Sequence, residues 1–235
     1  MEQAVDRAFD SAERRIGRVV QRVPVAVRPK LRGWLHLGAV PLSVLLGLVA
    51  AFLAPAGADR WSVLVYLTTT VLLFGVSAIY HRRVWGERWG AVLKRIDHSN
   101  IYLFIAGSYT PFAVMLLPGT SGEVLLWIVW SIAALGVVFR VVWISAPRWL
   151  YVSTYIALGW VAVGYLPALW HAGGAAVVLL IALGGALYTL GAVVYAVRRP
   201  NPFPRWFGFH EIFHAFTIAA YLVQYIAVVL VIQRQ

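Results

Sequence analysis

The sequence predicts an all-α membrane protein of seven transmembrane helices, with its N-terminus in the cytoplasm and its C-terminus outside. Three observations predict it. Of the 235 residues, 61% are hydrophobic and only 12% charged, and mean hydropathy is +0.78; soluble domains carry about 25% charged residues. Apolar runs of about 20 residues follow one another along the chain, each spanning roughly 30 Å at about 1.5 Å per residue, the thickness of a hydrocarbon core. Lysine and arginine crowd the joints on one side, which sets the orientation.

The opening 33 residues form a basic cytoplasmic segment of their own, with no early apolar run to suggest a secretory signal. Within it, "AVDRAFDSAERRIGRVVQRV" (4–23) spaces Val5, Phe9, Ile16, Val20 and Val23 near the helical period, with arginines between and Pro24 as a stop. That pattern suits an amphipathic helix on the anionic inner leaflet; a solvated tail is the alternative. Residues 34–235 form the membrane domain.

Its predicted spans are 34–55, 61–81, 97–117, 123–144, 149–170, 174–197 and 210–232, separated by joints such as "APAGADR", "LPGTSGE" and "RRPNPFPRWFG". Pro111 in "SYTPFAV" should kink the third span and free a carbonyl. Of the 20 basic residues, 18 lie before the first span, in the even-numbered joints or at the helix ends beside them, leaving Arg60 and Arg234 for the other side. The positive-inside rule then makes the first side cytoplasmic. The high pI, about 10.4, is thus a topology signal, and nucleic acid is not expected as a partner. Membrane lipids are the expected partners of a multi-pass cell-membrane protein, and the oligomeric state is left open.

Ionisable groups within spans are costly and mark function. His81 ends the second span, Asp97 starts the third, and His210 and His214 begin the seventh. All four are expected at the cytoplasmic face. Ser77 lies four residues before His81, one turn deeper on the same helix face. Three neutral imidazoles without a fourth protein ligand suit a catalytic zinc, whose water has a pKa near 7; Asp97 is the carboxylate expected to orient that water and take its proton. The chain has no cysteine, so neither disulfides nor thiolate ligands compete.

His36 and His98 read as interfacial hydrogen-bonding groups, and His171 lies across the bilayer from the cluster. Arg32 and Arg140 read as residues that snorkel to phosphates, and the terminal Trp and Tyr residues as an interface belt. "HEIFH" (210–214) also matches the metalloprotease pattern H-E-x-x-H. No His, Asp, Glu or Cys follows His214, so the third ligand must come from upstream, unlike the usual protease arrangement. Glu211 is then expected at the headgroup edge or hydrogen-bonded around the ligands.

"PKLRGWLH" (29–36), "SAIYHRR" (77–83), "KRIDHSNIYLFIAGSYTPF" (94–112) and "HEIFHAF" (210–216) resemble the motifs of bacterial hemolysin III proteins, in the adiponectin- and progestin-receptor superfamily. The resemblance implies seven helices with a cytoplasmic N-terminus, zinc held by His81, His210 and His214, and a water partnered by Asp97 and Ser77. It also implies a metal-dependent lipid amidase or hydrolase, ceramidase-like in the receptor relatives, with a role in membrane-lipid homeostasis.

Two other classes compete: a receptor or membrane-state sensor in which zinc only ties the second and seventh helices together, and a cytolysin. Against a pore, no row of polar residues crosses the spans. A retinal pigment is excluded because the only lysines, Lys30 and Lys94, lie outside them.

Overall fold

A computed structural model describes residues 29–117 and 119–235. The predicted amphipathic helix over 4–23 lies outside the described residues. The described chain is helical, with a single isolated bridge between Phe203 and Phe207 and no strand. In order come α1 (Trp34–Leu53), α2 (Ala58–Arg82), α3 (Glu87–Leu116), α4 (Thr120–Val142), α5 (Arg148–Gly159), a 3-10 segment (Trp160–Tyr165), α6 (Leu166–Val197) and α7 (Phe209–Ile232).

Among the described residues, five helical stretches are long and apolar enough to cross a membrane: Trp34–Leu53, Ala58–Arg82, Thr120–Val142, Arg148–Val197 and Phe209–Ile232. The sequence reading of separate runs differs from this in two places. The third run belongs to α3, which begins at Glu87, ten residues before the predicted start at 97. Glu87, Arg88, Lys94 and Arg95 occupy its first turns and lower its apolar character, so hydropathy alone misses where it begins. Asp97 is accordingly inside the helix rather than at its start.

The fifth and sixth runs appear as one 50-residue stretch, Arg148–Val197. It doubles back on itself. Arg148 Nη1 donates to the Tyr195 carbonyl at 2.9 Å and Trp160 Nε1 to Thr189 Oγ1 at 3.2 Å, so its two arms run antiparallel. The reversal falls at Gly174, whose φ of 72° and ψ of 174° lie outside the helical region. A side chain there would be strained, which makes glycine the residue for this turn. Arg234, at the end of α7, closes the same turn by donating to the Gly173 carbonyl.

Within a bilayer, apolar burial drives helix association weakly, and close packing and polar contacts hold helices together. The interior fits that rule. Gly107 of α3 sits so close to α2 that a β-carbon there would lie 2.1 Å from Thr69 Oγ1. Asn100 donates from α3 to the Leu72 carbonyl of α2 at 3.0 Å, and Tyr109 donates to the Gly159 carbonyl at 2.6 Å. Phe52, Trp127 and Leu135 point outward, 84%, 76% and 70% exposed, as a lipid-facing surface requires. Pro111 lies inside α3, which runs on to Leu116.

Candidate metal centre and cavity

The last turns of α2, the second to third turns of α3 and the first turns of α7 meet at one end of the bundle. α1 enters beside them through Gly33, whose φ is 80°. Any β-carbon at Gly33 would come within 3.0 Å of the His81 β-carbon. The start of α1 therefore abuts the residue that α2 contributes to the cluster.

His81, His210 and His214 each offer a ring nitrogen, and these atoms all lie within 4.8 Å of one another. His210 and His214 share a face of α7 because they are four residues apart. His210 Nε2 is 3.1 Å from His81 Nε2. Two nitrogens on one tetrahedral zinc at about 2.0–2.1 Å stand roughly 3.3 Å apart, so this pair already has ligand spacing. The three histidines are grouped so that they could hold a metal ion. Asp97 Oδ2 lies 3.7 Å from His81 Nε2, and the Ser77 hydroxyl interacts with the same carboxyl group. Ser77 and Asp97 are 3% and 8% exposed. The five residues singled out from the sequence are thus brought together.

Glu211 is not part of that group. Its Oε1 accepts from Arg32 Nε at 2.5 Å and its Oε2 from the Gly208 N–H at 2.9 Å. With 1% exposure and both oxygens engaged, it caps α7 and ties it to the residues before α1. The expectation of Glu211 at the headgroup edge is corrected by this burial. The metalloprotease use of this glutamate, as a base at the metal, needs the carboxylate turned away from Arg32 and Gly208, which hold its two oxygens.

The two arginines expected to snorkel are also corrected. Arg32 is paired with Glu211. Arg140 is 0% exposed and donates inward, to His98 Nδ1 at 2.6 Å, to the Trp143 carbonyl at 3.2 Å and to the Ile144 carbonyl at 3.3 Å. The helix α4 ends at Val142, so these carbonyls lie just beyond its last turn, and the guanidinium takes them in place of phosphate.

His36 and His98 carry more than an interfacial role. The His36 ring stacks on His214 at 3.7 Å with planes 7° apart, and neither of its ring nitrogens has a hydrogen-bond partner. Both line the same cavity as the cluster. Their shared depth with His81 and His210 was visible in the sequence; their approach from α1 and α3 was not. His171, beside the Gly174 turn, is at the opposite end, as expected.

The cavity, about 390 Å³, begins at His81, His210 and His214 and continues between apolar walls that include Leu73, Phe104, Phe112, Leu125 and Leu169. Along α3 its lining runs from Asp97 to Phe112, about 22 Å of helix at 1.5 Å per residue. Trp160 and Val163 of the 3-10 segment line it while also being 56% and 50% exposed on the outside.

These features define a multi-pass helical membrane protein with a buried three-histidine cluster at one end of an elongated apolar cavity. The family model for haemolysin-III-related proteins matches residues 25–225, and the chain belongs to that family. It is 34% identical over 182 residues to a hemolysin-3 homolog of Bacillus subtilis (strain 168), covering 77% of this chain and 81% of that protein. It is 35% identical over 168 residues to hemolysin-3 of Bacillus cereus, covering 70% and 68%. It is 26% identical over 163 residues to the human monocyte to macrophage differentiation factor, covering 66% and 64%.

Proposed function

We propose that this protein is a zinc-dependent hydrolase of a membrane lipid, amidase- or ceramidase-like, working from the cytoplasmic side. The observation that carries the reading is the continuity of the histidine cluster with a long apolar cavity. A lipid chain lying along α3 puts the polar end of the molecule beside His81, Asp97 and His214. A metal that only tied α2 to α7 has no use for a carboxylate beside it, and Asp97, 3.7 Å from His81 Nε2, favours catalysis over a purely structural role.

His81, His210 and His214 would hold the ion as neutral imidazoles. A bound zinc would polarise the lipid carbonyl as a Lewis acid and lower the pKa of a water to about 7. Asp97 receives the proton from the attacking water and returns it to the leaving group. Ser77 fixes the rotamer of that carboxyl group. The apolar walls keep bulk water away from the chain and align it, and the exposed lining residues Trp160 and Val163 mark the way in from the membrane.

The reading also includes seven crossings over 34–235, with the N-terminus and residues 1–33 cytoplasmic and the C-terminus external. Support comes from the reversal at Gly174, which divides the 50-residue stretch into two arms, and from α3 lying between α2 and α4. The positive-inside asymmetry supplies the sign.

The test is hydrolysis of a panel of amide and ester lipids by purified, zinc-loaded protein. Asp97→Asn should retain zinc and lose roughly 10²-fold or more in rate, the scale of a positioned acid–base group. Full activity in Asp97→Asn, together with a dead Glu211→Gln, would overturn this assignment and restore the metalloprotease one.

A further inference from the structure

We propose that His98 is a fixed N–H donor in the wall of the cavity, a subsite that binds a carbonyl or carboxylate oxygen of an acyl amphiphile. The inference rests on the hydrolase reading for its choice of ligand, and on the hydrogen bonds of one buried arginine for its chemistry.

Arg140 is wholly buried, and no carboxylate lies within 4.0 Å of it among the described residues. Guanidinium has five donors and no acceptor, and it stays protonated in proteins. Its contact with His98 Nδ1 at 2.6 Å therefore fixes the direction of that bond: arginine donates and Nδ1 accepts. An accepting Nδ1 carries no proton, so the ring proton is on Nε2. Protonating both nitrogens would set an imidazolium against a buried guanidinium, which excludes the doubly protonated ring.

The rest of the site holds this arrangement still. Arg140 is anchored by the Trp143 and Ile144 carbonyls and lies 4.3 Å over the Tyr151 ring. Tyr155 donates to the His98 backbone carbonyl at 3.0 Å. With Nδ1 occupied, the only polar atom of the His98 side chain left for the cavity it lines is Nε2–H. A fixed donor in a mostly apolar wall selects for an acceptor, because it is left unpaired by a ligand that lacks one. His98 follows Asp97 on α3, at the cluster end of the cavity, where the polar end of a lipid would lie.

The experiment uses the full chain in detergent, stripped of metal, with hexadecanamide as the probe. Binding by calorimetry should weaken roughly tenfold in His98→Phe, the scale of one lost hydrogen bond. His98→Gln, which can accept from Arg140 and still donate, should stay within about threefold of the native protein. Nitrogen NMR of histidine-labelled native protein should show His98 with a bare Nδ1 and a protonated Nε2. Equal affinity in His98→Phe, or a protonated Nδ1, overturns the proposal; if the Phe variant does not fold, the Gln variant and the tautomer decide it. Because binding is read without metal, a lipid panel that shows no cleavage sinks the hydrolase reading and leaves this subsite supported.

Discussion

Arg32 and Glu211 form an ion pair across 179 residues, Nε to Oε1 2.5 Å, with Glu211 1% exposed. The pair joins the residues before α1 to the first turn of α7, one residue from His210 and three from His214. Its partner bond to the Gly208 N–H satisfies a donor at the helix N-terminus, where a negative charge is also favoured by the helix dipole. Glu211 is consequently a structural anchor for two of the three clustered histidines.

Glu211→Gln should therefore keep the metal and most of the activity while lowering stability. Amide and guanidinium still hydrogen-bond, and the Arg32 side chain, 21% exposed, can turn to water. A loss of about 1–3 kcal/mol is expected, below the cost of stranding a fully buried charge. Thermal unfolding in detergent, with metal analysis of the same samples, measures both. A Glu211→Gln protein of native stability would show the ion pair to be idle.

One zinc per chain should be bound, and replacing any of His81, His210 or His214 by alanine should abolish it. Binding should weaken in acid, because a protonated imidazole has no lone pair to give. Elemental analysis of the variants after dialysis at pH 8 and pH 5.5 checks this. Full occupancy in His81→Ala would rule out a site shared between α2 and α7.

Gly33→Ala should disturb the metal site from outside it. The backbone at φ 80° costs an L-residue about 1–2 kcal/mol, and the new methyl would press on the His81 β-carbon at 3.0 Å. Lower melting temperature and weaker zinc binding should appear together. A stability loss with unchanged zinc affinity would show that α1 does not position His81.

Reporters at the N-terminus and at Arg88 should report the cytoplasm, and those at Gly119 and the C-terminus the outside. The same side for both termini would mean an even number of crossings. The shared depth of His81 and His210 would then need another explanation.

Much of this molecule was legible in one dimension. Apolar runs separated by Pro, Gly and charge are periodic and local, so the membrane class and most helix limits could be read directly. The i,i+4 spacing put His210 and His214 on one face, and the matching depths of His81, Asp97 and Ser77 followed from counting residues along successive spans. The beginning of α3 escaped that reading because charged residues can extend a helix beyond its apolar part. Which side chains meet laterally was also out of reach, since depth along a helix says nothing about rotation around it. Only the tertiary packing turned Glu211 toward Arg32, laid His36 on His214 and folded Arg140 inward onto His98. Those contacts join residues up to 179 positions apart, and they are decided by how helices rotate to bury charge and fill space. No local pattern encodes that.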